Sequence, residues 1–334
     1  SGSVGDAMMK SSKINLLTCF DPVTEKRKAF SERFGCEYED SYEDVLKRED
    51  IHGLHLATPN HLHAEQTLLA AEHGKHVFVE KPIANTLSDG RKMIDACQKA
   101  GVILMVGQHL RRLTGIRKLK EMIEAGAIGN PIQIEGNYSQ NLGFALTPES
   151  FRWRGDDSGC PAGSLMTMGI HHSDVFNYLF GPIKTVFSYF NKLYIPAPVD
   201  DVTTTVFQYK TGVLGYLGSN YASPKAVWFY VYGTEANLLC TITPPELPFE
   251  EYLLWWQQVD QDTDVQIFEK GKTGSTTVPL ALGNPIVEEI DEFADCILTG
   301  ARPETDGKGA LSALAFIRAA IESSRSGKQA RLEA

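Results

Sequence analysis

The sequence predicts an α/β protein: a doubly wound parallel sheet of the Rossmann type in residues 1–108, then an α+β domain in residues 109–334 built on one large, open, mainly antiparallel sheet. Three observations carry this. Short, almost wholly apolar runs alternate with helical stretches up to Gly107; beyond it, strand-like runs follow one another with few helices between them. The 334 residues also exceed the roughly 250–300 at which a single hydrophobic core stops growing, so two domains are expected.

In chain order, Ile14–Phe20 precedes a helix running through Phe34, and Ile51–Thr58 precedes one from Pro59 to His73. His76–Glu80 leads to a helix over Leu87–Ala100, and Val102–Val106 closes the series. Strands apolar on both faces belong in a parallel sheet covered by helices on both sides. A helix carrying Leu119, Ile123 and Ile128 then ends at Gly129-Asn130-Pro131. The runs Ile132–Gln140, Ile183–Leu193, Val202–Tyr209, Val213–Tyr221, Val227–Tyr232 and Asn237–Ile242 alternate apolar and polar residues, which suits a sheet with one packed face and one open face. Two helical runs, Pro285–Leu298 and Gly309–Ser324, finish the chain, and no flexible linker marks the boundary near Gln108.

Hydrophobic residues at 43% and charged residues at 22% are ordinary globular composition. With 32 basic against 42 acidic residues, and Lys26-Arg27-Lys28 as the densest basic cluster, no nucleic-acid face is expected. No apolar run approaches the ~18–20 residues of a membrane span and no secretory leader pattern opens the chain, so a soluble, cytoplasmic protein is expected. The six cysteines (Cys19, Cys36, Cys97, Cys160, Cys240, Cys296) lie far apart, with no Cys/His grouping at metal-ligand spacing, and read as reduced thiols.

The chain opens Ser1-Gly2-Ser3-Val4-Gly5, then helix-compatible Asp6–Lys10, then a strand ending at Asp21. One glycine before Ser1 completes G-x-G-x-x-G, in which glycines let the backbone approach a pyrophosphate at a helix N-terminus. Asp21, nineteen residues past Gly2, stands where an acidic residue accepts hydrogen bonds from the adenosine ribose. On this reading the first, central strand of the sheet precedes the residues given; the alternative is that Ser1-Gly2-Ser3 is a cloning remnant. A carboxylate there favours NAD over NADP, because it repels a 2′-phosphate.

Ala57-Thr58-Pro59-Asn60-His61-Leu62-His63, followed by Glu80-Lys81-Pro82 at the end of the next strand, resembles the Gfo/Idh/MocA family of nicotinamide-dependent oxidoreductases. The resemblance continues through Met105–Arg112, Phe151-Arg152-Trp153-Arg154 and Gly163–Asp174, in an order and spacing that are highly specific together. It implies hydride transfer between NAD(P) and a CH–OH or C=O group of a sugar, cyclitol or related hydroxylated ring. It also implies a homodimer or homotetramer formed through the open sheet.

Lys81 is the first catalytic candidate. An ammonium can hydrogen-bond the reacting oxygen, stabilise alkoxide character and exchange a proton. His171, matching the family's histidine, is the second, as acid/base on the substrate oxygen. Gly2, Gly5, Asp21, Thr58, Pro59, Asn60, His63, Glu80, Lys81, Gln108, Trp153 and Arg154 are the expected cofactor positions, and Lys81, Arg154, Thr167 and His171 the expected substrate positions. Many relatives carry Asp where this chain has Thr167, one turn before the histidine. Either Thr167 or Asp174 is therefore left to orient His171, and His172 reads as structural. Trp255-Trp256 and the aromatic strand Val227–Tyr232 read as pocket lining or, as exposed aromatics on an open sheet, as a subunit interface. Two other functions fit the same resemblance: a glycoside hydrolase using NAD without net turnover, and a non-catalytic NAD-binding sensor. Net accumulation of reduced nicotinamide separates the dehydrogenase from the hydrolase, while a sensor could lose Lys81 and His171, both of which are present.

Overall fold

The computed structural model describes residues 2–146, 159–247, 251 and 254–332. The first half runs α1 (Gly2–Met8), β1 (Thr18–Cys19), α2 (Thr24–Phe34), β2 (Glu37–Tyr38), α3 (Tyr42–Lys47), β3 (Gly53–Leu56), α4 (His63–Glu72), β4 (His76–Glu80), α5 (Leu87–Ala100) and β5 (Leu104–Gly107). β3, β4 and β5 form a parallel sheet in that order, with Gly53 opposite His76 and Val77 opposite Leu104. β1 and β2 pair in parallel as a separate two-stranded sheet.

The apolar run of β4 explains its place: Val77, Phe78 and Val79 are all buried, as a strand between two neighbours and under helices requires. The run Ile14–Phe20 yields only Thr18–Cys19 as strand. β2 and α3 were not anticipated, because the two exposed residues of β2 carry no apolar pattern.

The second half begins with α6 (Thr114–Glu124) and β6 (Pro131–Ser139). α6 stops before the expected Ile128, because Gly126 turns the chain into the left-handed region (φ +76°). There follow α7 (Ile170–Phe180), β7 (Ile183–Asn191), β8 (Val202–Tyr209), β9 (Leu214–Asn220), β10 (Ala226–Gly233), β11 (Ala236–Ile242), β12 (Thr263–Glu269) and β13 (Thr276–Thr277). Helices α8 (Pro285–Thr299) and α9 (Gly307–Ser326) and the short β14 (Ala330–Arg331) complete the chain. The nine-stranded sheet has the order β13-β12-β11-β10-β6-β9-β8-β7-β14 and is antiparallel except where β6 and β9 run parallel.

Alternation along β10 shows the two faces. Val227, Phe229 and Val231 are buried on the helix-covered side, while Trp228, Tyr230 and Tyr232 are half-exposed on the other. Tyr189, Val206 and Leu214 are 71%, 48% and 52% exposed. α9 packs against α7 and β7 on one side and α5 on the other, and Val106 N–H donates to the Thr305 carbonyl (2.8 Å). The chain's end thus returns to the first sheet. Among the described residues, no helix is long and apolar enough to cross a membrane.

Candidate active site

Three backbone stations define the site: the ends of β3 and β4, the end of β5, and the helical entry to α7. In doubly wound sheets the ligand crevice lies beyond the carboxyl ends of the strands, where the first two stations sit. A 3₁₀ turn (Asn60–Leu62) leads from the β3 end into α4. Buried His63 ties it to the β4 end, with Nδ1 2.9 Å from the Pro82 carbonyl oxygen and Nε2 3.0 Å from that of Thr58. Burial pushes its pKa down, so the ring is neutral and donates to one carbonyl at a time. His63 therefore acts on any ligand through the two loops it holds. The Thr58 hydroxyl donates to Gln66 (2.6 Å).

Glu80 closes β4, with Oε1 3.3 Å from His55 Nε2. Burial pushes its carboxyl up, but the His55 hydrogen bond and the charges of His55 and Lys81 outweigh that and hold it down at about 2. It is an anion at neutral pH. The following Lys81-Pro82 peptide is cis, and Lys81 Nζ crosses the crevice to donate to the Thr167 carbonyl (2.7 Å).

Thr167 lies in a π-helical turn (Leu165–Gly169) feeding α7. Such turns shift the backbone register and recur at functional sites. Its hydroxyl donates to the Gly163 carbonyl (3.1 Å) and pairs with the buried Tyr221 hydroxyl. One turn on, His171 is 4% exposed. Burial first, then Lys81, push its pKa well below the ordinary histidine value, so it is neutral.

Neither expected orienter reaches His171. Asp174 pairs instead with Arg111, Nε to Oδ2 at 2.8 Å and the terminal nitrogen to Oδ1 at 2.5 Å. Thr167 is engaged as described. His172 packs as a core residue: its ring stacks on Phe229 at 4.1 Å, and burial lowers its pKa to about 3. Trp255 and Trp256, 2% and 7% exposed, lie off the sheet and inside the protein, which corrects their reading as exposed interface aromatics. Trp256 instead packs edge-on against His109 (5.1 Å), whose ring is 4.8 Å from that of His171.

His109 and Tyr221 were missed as site residues, whereas Trp256 takes the pocket-lining alternative of its reading. Only His109 had a signal, standing two residues past the β5 end within a run already marked by the resemblance.

Among the described residues, several buried polar atoms here have no hydrogen-bond partner: both amide atoms of Gln108, Asn60 Nδ2, His109 Nε2 and His171 Nδ1. Orphans of this kind are rare and call for a ligand or a specific explanation. Gly2 opens α1, and a Cβ on Gly5 would lie 2.7 Å from the Phe34 ring, so only glycine lets α1 approach α2 this closely. Asp21, two residues past β1, accepts from Val23 N–H (2.8 Å) through one oxygen. Orphaned amides at the ends of β3 and β5 and a glycine-dependent close approach fit a dinucleotide. Arg152, Trp153 and Arg154 lie outside the described residues.

Fold and site together define an oxidoreductase of the Rossmann class. Residues 3–108 match the oxidoreductase family with NAD-binding Rossmann fold, and residues 116–239 match the GFO/IDH/MocA C-terminal domain. A solved structure from Desulfitobacterium hafniense, assigned as an NADPH-dependent oxidoreductase, superposes with a TM-score of 0.92 at 30% identity, covering 99% of this chain and 94% of that one. The 1,5-anhydro-D-fructose reductase of Ensifer adhaerens is 26% identical over 296 residues, 88% of this chain and 83% of that protein. Levoglucosan dehydrogenase of Pseudarthrobacter phenanthrenivorans is 29% identical over 235 residues, 62% of this chain; the match spans 60% of that enzyme's length. The chain belongs to the Gfo/Idh/MocA family of oxidoreductases.

Proposed function

We propose that this protein moves a hydride between NAD(P) and a CH–OH or C=O group of a sugar or related hydroxylated ring, with Lys81 and His171 handling the charge and proton on the reacting oxygen. The observation that carries this reading is the Lys81 ammonium, held across the crevice on the Thr167 carbonyl (2.7 Å) one helical turn from buried, neutral His171.

Residues 1–108 form the cofactor half, where Gly2, Gly5, Asp21, Asn60, Glu80 and Gln108 would hold the dinucleotide, and residues 109–334 the substrate half. When bound, the nicotinamide supplies the hydride acceptor or donor. Lys81 donates to the substrate oxygen as negative charge develops on it, an interaction stronger in the transition state than in the ground state. His171, neutral at physiological pH, takes the hydroxyl proton in oxidation and returns it in reduction. His63 and Glu80 fix the loop carrying Lys81. The half-exposed aromatic face of the large sheet supports a homodimer or homotetramer, and six cysteines with no disulfide among them suit a reducing cytoplasm.

The test is hydride transfer with levoglucosan and 1,5-anhydro-D-fructose as first substrates, followed by absorbance of the reduced nicotinamide. Lys81→Met keeps much of the stem and deletes the charge; it should bind the dinucleotide normally and lose roughly 10²–10⁴ in kcat. Near-normal turnover by a folded, cofactor-loaded variant would refute the assignment.

A further inference from the structure

On the reading of this crevice as a nicotinamide-dinucleotide site, we infer that His55 is the positioning residue of Glu80: its Nε2–H donates to Glu80 Oε1 and so presents Oε2 to a hydroxyl of the nicotinamide ribose. Parallel pairing puts the parts in place. His55 on β3 stands opposite Phe78 on β4, and Glu80, two residues on, stands opposite Gly107 on β5. Side chains two apart in a strand share a face, so His55, Phe78 and Glu80 lie together at the carboxyl end of the sheet. Gly107 adds no side chain there. A Cβ on it would sit 3.2 Å from Glu80 Oε2, so the carboxylate lies against the bare backbone of β5. On the opposite side stands His55, with Nε2 3.3 Å from Oε1. Its ring is 9% exposed and set edge-on against Phe78 (4.9 Å), which in turn packs on Phe293 of α8 (5.7 Å). Packing therefore fixes the donor.

The Glu80 side chain keeps 30% exposure, and among the described residues only His55 hydrogen-bonds it, through Oε1. Burial raises the carboxyl's pKa, but the His55 hydrogen bond, with the charges of His55 and Lys81, holds it at about 2. Both oxygens therefore accept and neither donates. Lys81 follows directly in the chain, and the orphaned amides of Asn60 and Gln108 stand at the neighbouring strand ends. The ribose nearest the reacting end of the dinucleotide belongs at this corner, and its hydroxyls are the donors an ionised carboxylate binds best. A glutamate with free rotors must be ordered when the ligand arrives. A histidine that has ordered it beforehand removes that cost from binding.

Calorimetric titration with NADH and with NADPH needs no substrate, so it reads this role apart from the chemistry assigned to Lys81 and His171. His55→Phe keeps a ring edge against Phe78 and removes the donor. It should bind the tighter of the two dinucleotides about tenfold more weakly, yet bind ADP, which has no nicotinamide ribose, as the wild type does. His55→Gln returns an amide donor and should recover part of the affinity. With Glu80→Ala already in place, His55→Phe should add nothing further, because the two residues act through one contact. Unchanged dinucleotide affinity in His55→Phe, an equal loss for ADP, or a full further loss in the Glu80→Ala background overturns the role. A wild type that binds neither NADH nor NADPH is a different result: it refutes the dinucleotide reading itself, and the role of His55 with it.

Discussion

His172 offers a stability test whose size follows from its surroundings. The ring is wholly buried, and loss of hydration pushes its pKa down to about 3 despite the Trp228 carbonyl 3.3 Å from Nε2. In the unfolded chain a histidine titrates near 6.5. A base with a depressed folded pKa binds its proton only on unfolding, so its contribution is complete above about pH 6.5 and is lost as pH falls toward 3. The slope is about 1.4 kcal/mol per pH unit, so roughly 2 kcal/mol is lost between pH 6.5 and 5. His172→Leu removes this proton while keeping an apolar filler against Phe229. Urea denaturation at pH 7 and pH 5 reads it: the wild type should lose about 2 kcal/mol more than the variant over that interval. His63, His76, His109, His171 and Glu80 titrate in the same sense and Asp174 and Glu289 in the opposite one, but all are common to both proteins and cancel in the difference. Equal acid losses would refute the claim that His172 is held neutral by burial.

Asp174→Ala strands the buried Arg111 guanidinium and should cost about 3–5 kcal/mol, seen as a lower melting temperature, whereas the double change Arg111→Met with Asp174→Leu should recover most of it. Gly5→Val drives its Cβ into the Phe34 ring, so a loss of about 1–3 kcal/mol and weaker dinucleotide binding by calorimetry are expected. Asp21→Ser should weaken NAD binding about tenfold while leaving NADP binding unchanged or tighter; a wild type that binds NADP more tightly than NAD would contradict the role given to this carboxylate.

The legible parts of the fold were those where one element's pattern suffices. All-apolar Val77-Phe78-Val79 announced a central parallel strand, and the alternation along Val227–Tyr232 announced a half-open sheet. Short polar elements such as Glu37–Tyr38 exist only because a neighbour supplies their partner, so no local pattern reveals them. The site divided in the same way. The station of Lys81 just past β4 was readable because its strand end and its Pro neighbour are contiguous in sequence. The fate of Asp174 depended on Arg111, sixty-three residues earlier, and that of Thr167 on Tyr221. The tryptophan pair misled because two adjacent large aromatics look the same whether they line a wall or face a partner; only burial separates the cases.

Thr167, where the family resemblance implies a carboxylate, leaves the site with a different charge balance as well as without one hydrogen-bond acceptor. On the proposed mechanism the groups at the reacting oxygen are a cation, Lys81, and buried neutral His171 with neutral His109 packed against it, while the nearest carboxylate on α7 is neutralised by Arg111. A proton taken by His171 therefore creates a second positive charge beside the first, and the field of Lys81 opposes it. Among the described residues, Glu80, kept ionised on the β4 side, is an anion that can offset either charge. The site thus favours holding a single positive charge, on Lys81 or on His171, so proton acceptance by the histidine is eased when the ammonium's charge is drawn onto the developing alkoxide. If the proposed mechanism holds, the two residues act as one unit, and removing both should cost little more than removing either.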